Sequence, residues 1–172
     1  AQAVGADGVD RRIDVIATAM RAGLKATDLI DLDLAYAPPY GQAKDPVNQT
    51  GMVAHNVLTG ELVLIGPDAL TEDMPVLDVR TVGEYAAGHM PNSLNIPHTQ
   101  LRDRLDEVHA WVDETVGDQP FVVMCAAGVR SWIGYRIVRH AGFNVTMLSG
   151  GIQTLRAWLG EKAEAVLVKG EG

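Results

Sequence analysis

The sequence predicts an α/β fold with a mainly parallel five-stranded sheet, helices on both of its faces and a short helical segment before it. From about residue 61, short aliphatic and β-branched runs alternate with stretches of helical periodicity. Such alternation is typical of a parallel sheet that helices cover on both faces. Residues 1–59 differ, because they show only helical patterns separated by a proline- and glycine-containing loop.

Five strands and four helices are predicted in the second part of the chain. The strands are expected at 62–65, 75–79, 93–96, 121–125 and 145–148, and the helices at about 81–87, 101–112, 131–141 and 151–159. Ligands of parallel sheets bind where strands end and helices begin. Cys125 stands at such a position.

Two longer helices are predicted in the first 59 residues. The stretch RRIDVIATAMRAGL indicates a helix with Asp10 as its N-cap. Its buried stripe is expected to comprise Ile13, Ile16, Ala17, Met20 and Leu24. Asp45 followed by Pro46 indicates the start of another helix, which ends at Gly60.

Composition excludes several classes of function. The 172 residues carry a formal net charge of −8, which disfavours binding to nucleic acid or to an anionic membrane surface. A single cysteine cannot form an internal disulfide. No apolar run approaches the roughly 20 residues that span a bilayer, and we expect no signal peptide. We therefore expect a cytoplasmic protein.

The one cysteine, Cys125, allows two interpretations. A free cysteine is often a small buried hydrophobe. Here, however, it lies between the strand FVVM and a predicted helix, whose N-terminal N–H groups and dipole lower the pKa of a nearby thiol. Gly128 gives the intervening loop the freedom to turn its amides inward. These features favour a nucleophile.

Arg130 adds a fixed positive charge and a planar set of donors to the same loop. Ser131 or a neighbouring loop residue is expected to cap the helix that follows. We therefore predict Cys125 as the catalytic residue. The predicted substrate-binding residues are Ala126, Ala127, Gly128, Val129, Arg130 and Ser131.

Three motifs resemble the rhodanese-like sulfurtransferases. CAAGVRS is similar to their Cys-x-x-Gly-x-Arg loop, LDVRTVGEYAAGHMPNSLNIP (77–97) to their upstream signature, and SGGIQTLRAW (149–158) to their downstream glycine pair and tryptophan. Asn92 departs from the pattern, which has a small apolar residue at that position. The matched upstream positions are Asp78, Arg80, Glu84, Gly88, His89, Asn95 and Pro97.

The resemblance implies that Cys125 accepts a sulfane sulfur as a persulfide. The donor would be thiosulfate, a polysulfide or a CoA or other thiol persulfide, and the acceptor a thiol or cyanide. Asp78, Arg80 and Glu84 would form a mutual structural network near the loop. Related phosphatases have a loop one residue longer, whereas four residues separate Cys125 from Arg130, which favours sulfur over phosphate.

The first 59 residues resemble another family. RIDVIATAMRAGLKATDLIDLDLAYAPPYGQAKDPVNQTGMVAHNVLTGE is similar to the C-terminal end of the dimerisation domain of flavin-dependent CoA-disulfide or persulfide reductases. We therefore expect residues 1–59 to be a remnant of a pyridine nucleotide-disulfide oxidoreductase dimerisation domain, and residues 60–172 to be a rhodanese-like domain. The chain would be the C-terminal fragment of a reductase–rhodanese fusion.

The parent would use FAD, NAD(P)H and CoA, whereas this chain is expected to bind no cofactor, since it lacks a Gly-x-Gly-x-x-Gly turn after a strand. The resemblance implies that Tyr36, or alternatively Tyr40, reaches the partner subunit's reductase site. It also implies a homodimer through residues 1–59. A non-catalytic binding module and a dormant dimerisation module are the alternatives to an active sulfurtransferase.

The remaining candidates are expected to be structural. The histidines show no ligand spacing and one cysteine cannot build a zinc site, so we predict no metal. His89 is expected to make a structural hydrogen bond, and Trp158 to lie in the core. The histidines are His55, His89, His98, His109 and His140.

Overall fold

The computed structural model describes residues 1–39 and 41–170. They form two compact units, the first Ala1–Leu62 and the second beginning at Val63. Of the two tyrosines predicted for a reductase site, Tyr40 lies outside the described residues, and Tyr36 belongs to the first unit.

The first unit contains α1 (Val9–Arg21), a 3₁₀ helix (Ala26–Asp31) and α2 (Pro46–Leu58). As the Asp-Pro pair predicts, Asp45 caps α2 by accepting a hydrogen bond of 3.0 Å from the Val47 N–H. The Asn48 amide donates to carbonyls of the preceding segment, at 3.0 Å to Leu29 and 2.9 Å to Leu32. These bonds tie α2 to the 3₁₀ helix.

Two expectations for α1 are wrong. Its N-cap is Gly8, and Asp10 lies in the first turn. Its inner face includes Ala19, which is buried with Leu29 and Val47 and packed by Val15 and Ile16, whereas Met20 is 69% exposed and Leu24 41% exposed. The reason is a contact across the unit: Arg12 pairs with Asp45 at 2.7 Å, which turns the face of Arg12, Val15, Ile16 and Ala19 toward α2.

The second unit contains the predicted five-stranded sheet. Its strands are β1 (Leu64–Ile65), β2 (Val76–Asp78), β3 (Ser93–Asn95), β4 (Phe121–Met124) and β5 (Val145–Leu148). They are all parallel in the order β1-β5-β4-β2-β3. Every residue of β2 and β4 is buried, as expected of central strands that are covered on both faces.

Helices follow the strands as predicted, with differences at their ends. They are α3 (Val82–Ala86), α4 (Leu105–Trp111), α5 (Val129–His140), α6 (Gly151–Leu159) and α7 (Ala163–Val166). Residues 101–104 are turns, and a π-helical segment, Val112–Val116, extends α4. The sequence did not predict α7, nor the antiparallel bridge of His89 with Val168.

The central strand β4 joins two packed layers. Val122 and Met124 lie in a cluster with Ile152 and Leu155 of α6. On α5, a Cβ added at Gly134 would lie 3.4 Å from Val123 and 3.0 Å from Val79. Gly134 therefore lets α5 approach the sheet closely, next to the end of β4.

The expectation for Trp158 is wrong, since this side chain is 63% exposed. The face of α6 that packs on the core includes Ile152, Leu155 and Leu159, and Trp158 lies beside that stripe. Within the described residues, no helix has the length and apolar character needed to cross a membrane.

Candidate active site

Cys125 directly follows β4 and lies inside a tight loop. The residue is 1% exposed. Its Sγ accepts a hydrogen bond from the Gly128 N–H at 3.2 Å and lies 3.2 Å from Ser131 Oγ. Ser131 Oγ also lies 2.9 Å from the Gly128 carbonyl. Because a hydroxyl carries one proton, Ser131 donates either to this carbonyl or to the sulfur.

The loop lowers the pKa of the Cys125 thiol. Burial raises this pKa, but hydrogen bonds from the Ser131 hydroxyl and from the N–H groups of Gly128, Ser131 and Ala127 outweigh burial. Donors that point at a sulfur stabilise its thiolate form. The environment therefore favours the nucleophilic state of Cys125.

Gly128 gives the loop its shape. Its φ of 127° is unfavourable for a residue with a side chain. The turn lets α5 begin at Val129, two residues before the expected start. Gly128 is therefore the N-cap, and Ser131 stands inside the first turn, where its hydroxyl reaches Cys125.

A second helix holds the loop from the other side, a contact that the sequence did not predict. At the start of α6, the Ile152 N–H donates to the Cys125 carbonyl at 2.9 Å and the Gln153 N–H donates to the Ala126 carbonyl at 3.1 Å. A Cβ on Gly151 would lie 2.5 Å from the Cys125 carbonyl oxygen. The glycine pair in SGG was the only signal of this approach.

Arg130 binds a carboxylate in this structure. Its two terminal nitrogens donate to the two oxygens of Glu84, each at 2.7 Å. Glu84 also accepts from the N–H and the hydroxyl of Thr81, at 3.1 and 2.8 Å, as the third residue of α3 in a capping box. The Arg130 hydrogen bond, opposed by burial and aided by Thr81, lowers the pKa of Glu84 to about 2.

The expected mutual network of Asp78, Arg80 and Glu84 forms only in part. Asp78 and Arg80 are buried and joined by hydrogen bonds, including 2.9 Å from Nε to Oδ1. Arg80 donates to the backbone carbonyls of Glu84 and Gly88, at 3.0 and 2.9 Å. The Glu84 carboxylate binds Arg130 instead, because the capping box turns it toward the start of α3.

The structure also describes Tyr36 and His89, two further residues that the sequence singled out. Tyr36 is 57% exposed. His89 is buried, stacks on Tyr85 and has its Nδ1 3.0 Å from the Tyr85 carbonyl. Among the described residues, no group of three or more His, Cys, Asp or Glu side chains is arranged to hold a metal ion.

Comparison with known proteins identifies the fold family. The sequence model of the rhodanese-like domain family matches residues 67–157, which are more than half of the chain. The chain belongs to the rhodanese-like domain family. Its loop of Cys125 to Arg130 therefore lies in the rhodanese-like part of the chain.

Larger reductases resemble the chain over most of its length. The crystal structure of reduced Bacillus anthracis CoADR-RHD is 36% identical, with a TM-score of 0.83 and coverage of 94% of this chain and 28% of that protein. A NAD-dependent persulfide reductase from A. fulgidus is 41% identical, with a TM-score of 0.76 and coverage of 87% of this chain and 26% of that protein. These matches confirm the predicted resemblance to reductase–rhodanese proteins.

Curated relatives match a shorter stretch. A coenzyme A disulfide reductase from Staphylococcus haemolyticus is 47% identical over 57 residues, which are 33% of this chain and 13% of that relative. The match thus spans about one eighth of the relative's length.

Proposed function

We propose that this chain is a sulfurtransferase in which Cys125 carries a sulfane sulfur as a persulfide. The observation that carries the proposal is the group of donors at the Cys125 sulfur: the Ser131 hydroxyl and the N–H groups of Ala127, Gly128 and Ser131, which together lower its pKa. The other loop residues, Ala126, Val129 and Arg130, complete the proposed binding site.

Each half of the reaction conserves atoms and charge. The Cys125 thiolate attacks the terminal sulfur of a thiol persulfide, the S–S bond of the donor breaks, and its electron pair leaves with the donor thiolate. The terminal sulfur, with any proton that it carries, is then bonded to Cys125. An acceptor thiolate attacks that sulfur in turn, and Cys125 leaves as a thiolate; cyanide accepts it as thiocyanate.

The size and burial of the loop support sulfur over phosphate. Four residues lie between Cys125 and Arg130, and the N–H groups of two of them, Ala127 and Gly128, are directed at the one sulfur atom. Cys125 is only 1% exposed, which suits attack on a terminal atom at the end of a donor. A phosphorus centre with its oxygens needs a wider loop.

We propose a larger protein as the setting of this reaction. Residues 1–59 would be the end of a reductase dimerisation domain and residues 60–172 the rhodanese-like domain. The parent would be a cytoplasmic CoA-disulfide or persulfide reductase with FAD, NAD(P)H and CoA bound by its other domains, and with Tyr36 or Tyr40 near the partner subunit's site. The similarity to the A. fulgidus NAD-dependent persulfide reductase supports this setting.

A dormant or non-catalytic rhodanese module is the second candidate, and turnover separates the two. We expect wild-type protein to pass sulfur from a thiol persulfide to cyanide, and Cys125→Ser to lose this activity at least a hundredfold. Neither protein should hydrolyse an aryl phosphate. Equal sulfur transfer by both proteins, or phosphatase activity that depends on Cys125, would contradict the proposal.

A further inference from the structure

The only cation among the side chains of the Cys125 loop, Arg130, is bound by a carboxylate from another element. We propose that Glu84 sets the donor specificity of this site: by neutralising Arg130 it disfavours donors that carry two negative charges at the reacting end, such as thiosulfate, relative to thiol persulfides. The inference rests on the proposed sulfurtransferase function and assigns Glu84 the role of a positioning residue that acts through Arg130.

The geometry of the pair engages both terminal nitrogens of the Arg130 guanidinium. Both terminal nitrogens of Arg130 donate to Glu84, one to each oxygen, at 2.7 Å. Such two-point pairing is among the stronger ion-pair geometries. Thr81 also donates to one of these oxygens, Oε2, through two hydrogen bonds of 3.1 and 2.8 Å. An oxyanion would have to displace a well-anchored carboxylate to use these nitrogens.

The charges around the loop compensate each other in pairs. Asp78 and Arg80 are buried and bonded to one another, and Glu84 compensates Arg130. The Cys125 thiolate then remains as the unbalanced charge among these groups. Arg130 interacts electrostatically with Cys125 and Asp78. Its neutralisation by Glu84 therefore lowers the positive potential at the Cys125 sulfur.

The two classes of donor differ in the charge that they bring to the Cys125 thiolate. Thiosulfate brings two negative charges to the thiolate and leaves as sulfite, which also carries two. A protonated thiol persulfide arrives neutral at its reacting end and releases a thiolate with one charge. Repulsion from the Cys125 thiolate therefore falls mainly on thiosulfate when no free cation offsets it.

The loop side chains suit a carbon-bearing donor. Ala127 and Val129 stand at the exposed rim, with Val129 74% exposed. Neither side chain offers a hydrogen bond or a charge, and both offer apolar contact to the alkyl chain of a thiol persulfide.

The test replaces Glu84 with glutamine, which removes the charge but retains the acceptor that the capping box needs. We expect the ratio of kcat/KM for thiosulfate to kcat/KM for glutathione persulfide to rise about tenfold in Glu84→Gln, with the gain in a lower KM for thiosulfate. Glu84→Ala should change the ratio in the same direction. Thermal melting checks that each variant is folded.

Glu107→Gln is the matched control, because Glu107 pairs with Arg104 through two contacts of 2.6 Å outside the site. It removes the same charge and should leave the ratio unchanged. An unchanged ratio in both Glu84 variants, or an equal rise in Glu107→Gln, would overturn the inference.

A binding measurement keeps this inference separate from the proposed function. In a Cys125→Ser background, calorimetric titration with sulfate should show about tenfold tighter binding when Glu84 is also replaced by glutamine. If that gain appears while wild-type protein accepts sulfur from neither donor, Glu84 masks Arg130 but the sulfurtransferase function is wrong. If sulfate binding is unchanged, the masking role itself is wrong.

Discussion

At the scale of single residues, the site is a balance between burial and directed hydrogen bonds. Burial raises the pKa of Cys125, and one hydroxyl and three backbone N–H groups bring it below its usual range. Ser131 supplies that hydroxyl from the first turn of α5, where it is fully buried. The Ser131 hydroxyl proton has two possible acceptors, because Oγ lies within hydrogen-bond distance of both the Cys125 sulfur and the Gly128 carbonyl.

Ser131→Ala should therefore raise the pKa of Cys125. With the hydroxyl removed, the thiolate loses one donor while the burial that opposes ionisation remains. The ultraviolet absorbance of the thiolate, titrated against pH with Cys125→Ser as the baseline, measures this pKa without requiring access to the sulfur. At neutral pH the uptake of sulfur should slow about fivefold to tenfold.

Ser131→Thr is the conservative control, since it keeps a hydroxyl, and it should restore most of the lower pKa. If the pKa of Cys125 in Ser131→Ala is equal to or below the wild-type pKa, the Ser131 hydroxyl does not stabilise the thiolate.

At the scale of elements, two helix N-termini meet at the loop. α5 begins at Val129, within the loop, and α6 donates the N–H groups of Ile152 and Gln153 to the carbonyls of Cys125 and Ala126. This contact requires a glycine at position 151, both for its φ of 61° and for the 2.5 Å that would separate a Cβ from the Cys125 carbonyl oxygen. The shape of the site thus depends on a residue 26 positions beyond the cysteine.

Gly151→Ala should destabilise the second unit and also slow sulfur transfer. Gly160 provides a matched control, because its φ of 57° is similar but a Cβ there would meet nothing within 4 Å. We expect Gly160→Ala to cost about 1 kcal/mol of unfolding free energy and Gly151→Ala about 2 kcal/mol more, measured by urea denaturation. Equal losses of unfolding free energy in the two variants, together with equal rates of sulfur transfer, would show that the close approach of Gly151 to the Cys125 carbonyl is unimportant.

At the scale of the whole molecule, the proposed parent implies a homodimer through residues 1–59. Met20 and Leu58 are large apolar side chains of this segment that are 69% and 71% exposed. Exposed apolar groups of this kind are frequent at protein–protein interfaces. Analytical ultracentrifugation should detect a dimer at micromolar concentration.

Met20→Asp and Leu58→Asp should each weaken the dimer at least tenfold, because a buried unpaired carboxylate is costly. Val82→Asp is the control, since Val82 is 58% exposed but lies in the second unit. A monomeric wild-type chain, or equal weakening by the control, would contradict dimerisation through the first segment.

The sheet and the position of the cysteine could be predicted because the signals are local. Continuous aliphatic runs such as FVVM identify a buried strand, and a small-residue loop before a helix indicates a turn whose N–H groups point at the cysteine. The contacts that shape the site are not local. Arg130 binds Glu84 across 46 positions, and Arg12 binds Asp45 across 33.

These long-range pairs explain some of the wrong expectations. The inner face of α1 follows the ion pair with α2, which periodicity within one helix cannot reveal. The capping box on α3 directs the Glu84 carboxylate to Arg130, so only the Glu84 carbonyl joins the network with Arg80 that the resemblance implied. Trp158 is exposed because the buried stripe of α6 runs through Leu155 and Leu159, one position away.

Cys125 is the residue that we propose to carry the sulfane sulfur. Intact mass spectrometry of the protein after exposure to CoA persulfide, and separately to thiosulfate, tests it most directly, since the chain has one cysteine. We expect the mass of one added sulfur atom on the wild type, more readily from CoA persulfide, its removal by a thiol acceptor, and no addition to Cys125→Ser. No addition to the wild type from either donor, or equal addition to Cys125→Ser, would contradict sulfur transfer through Cys125.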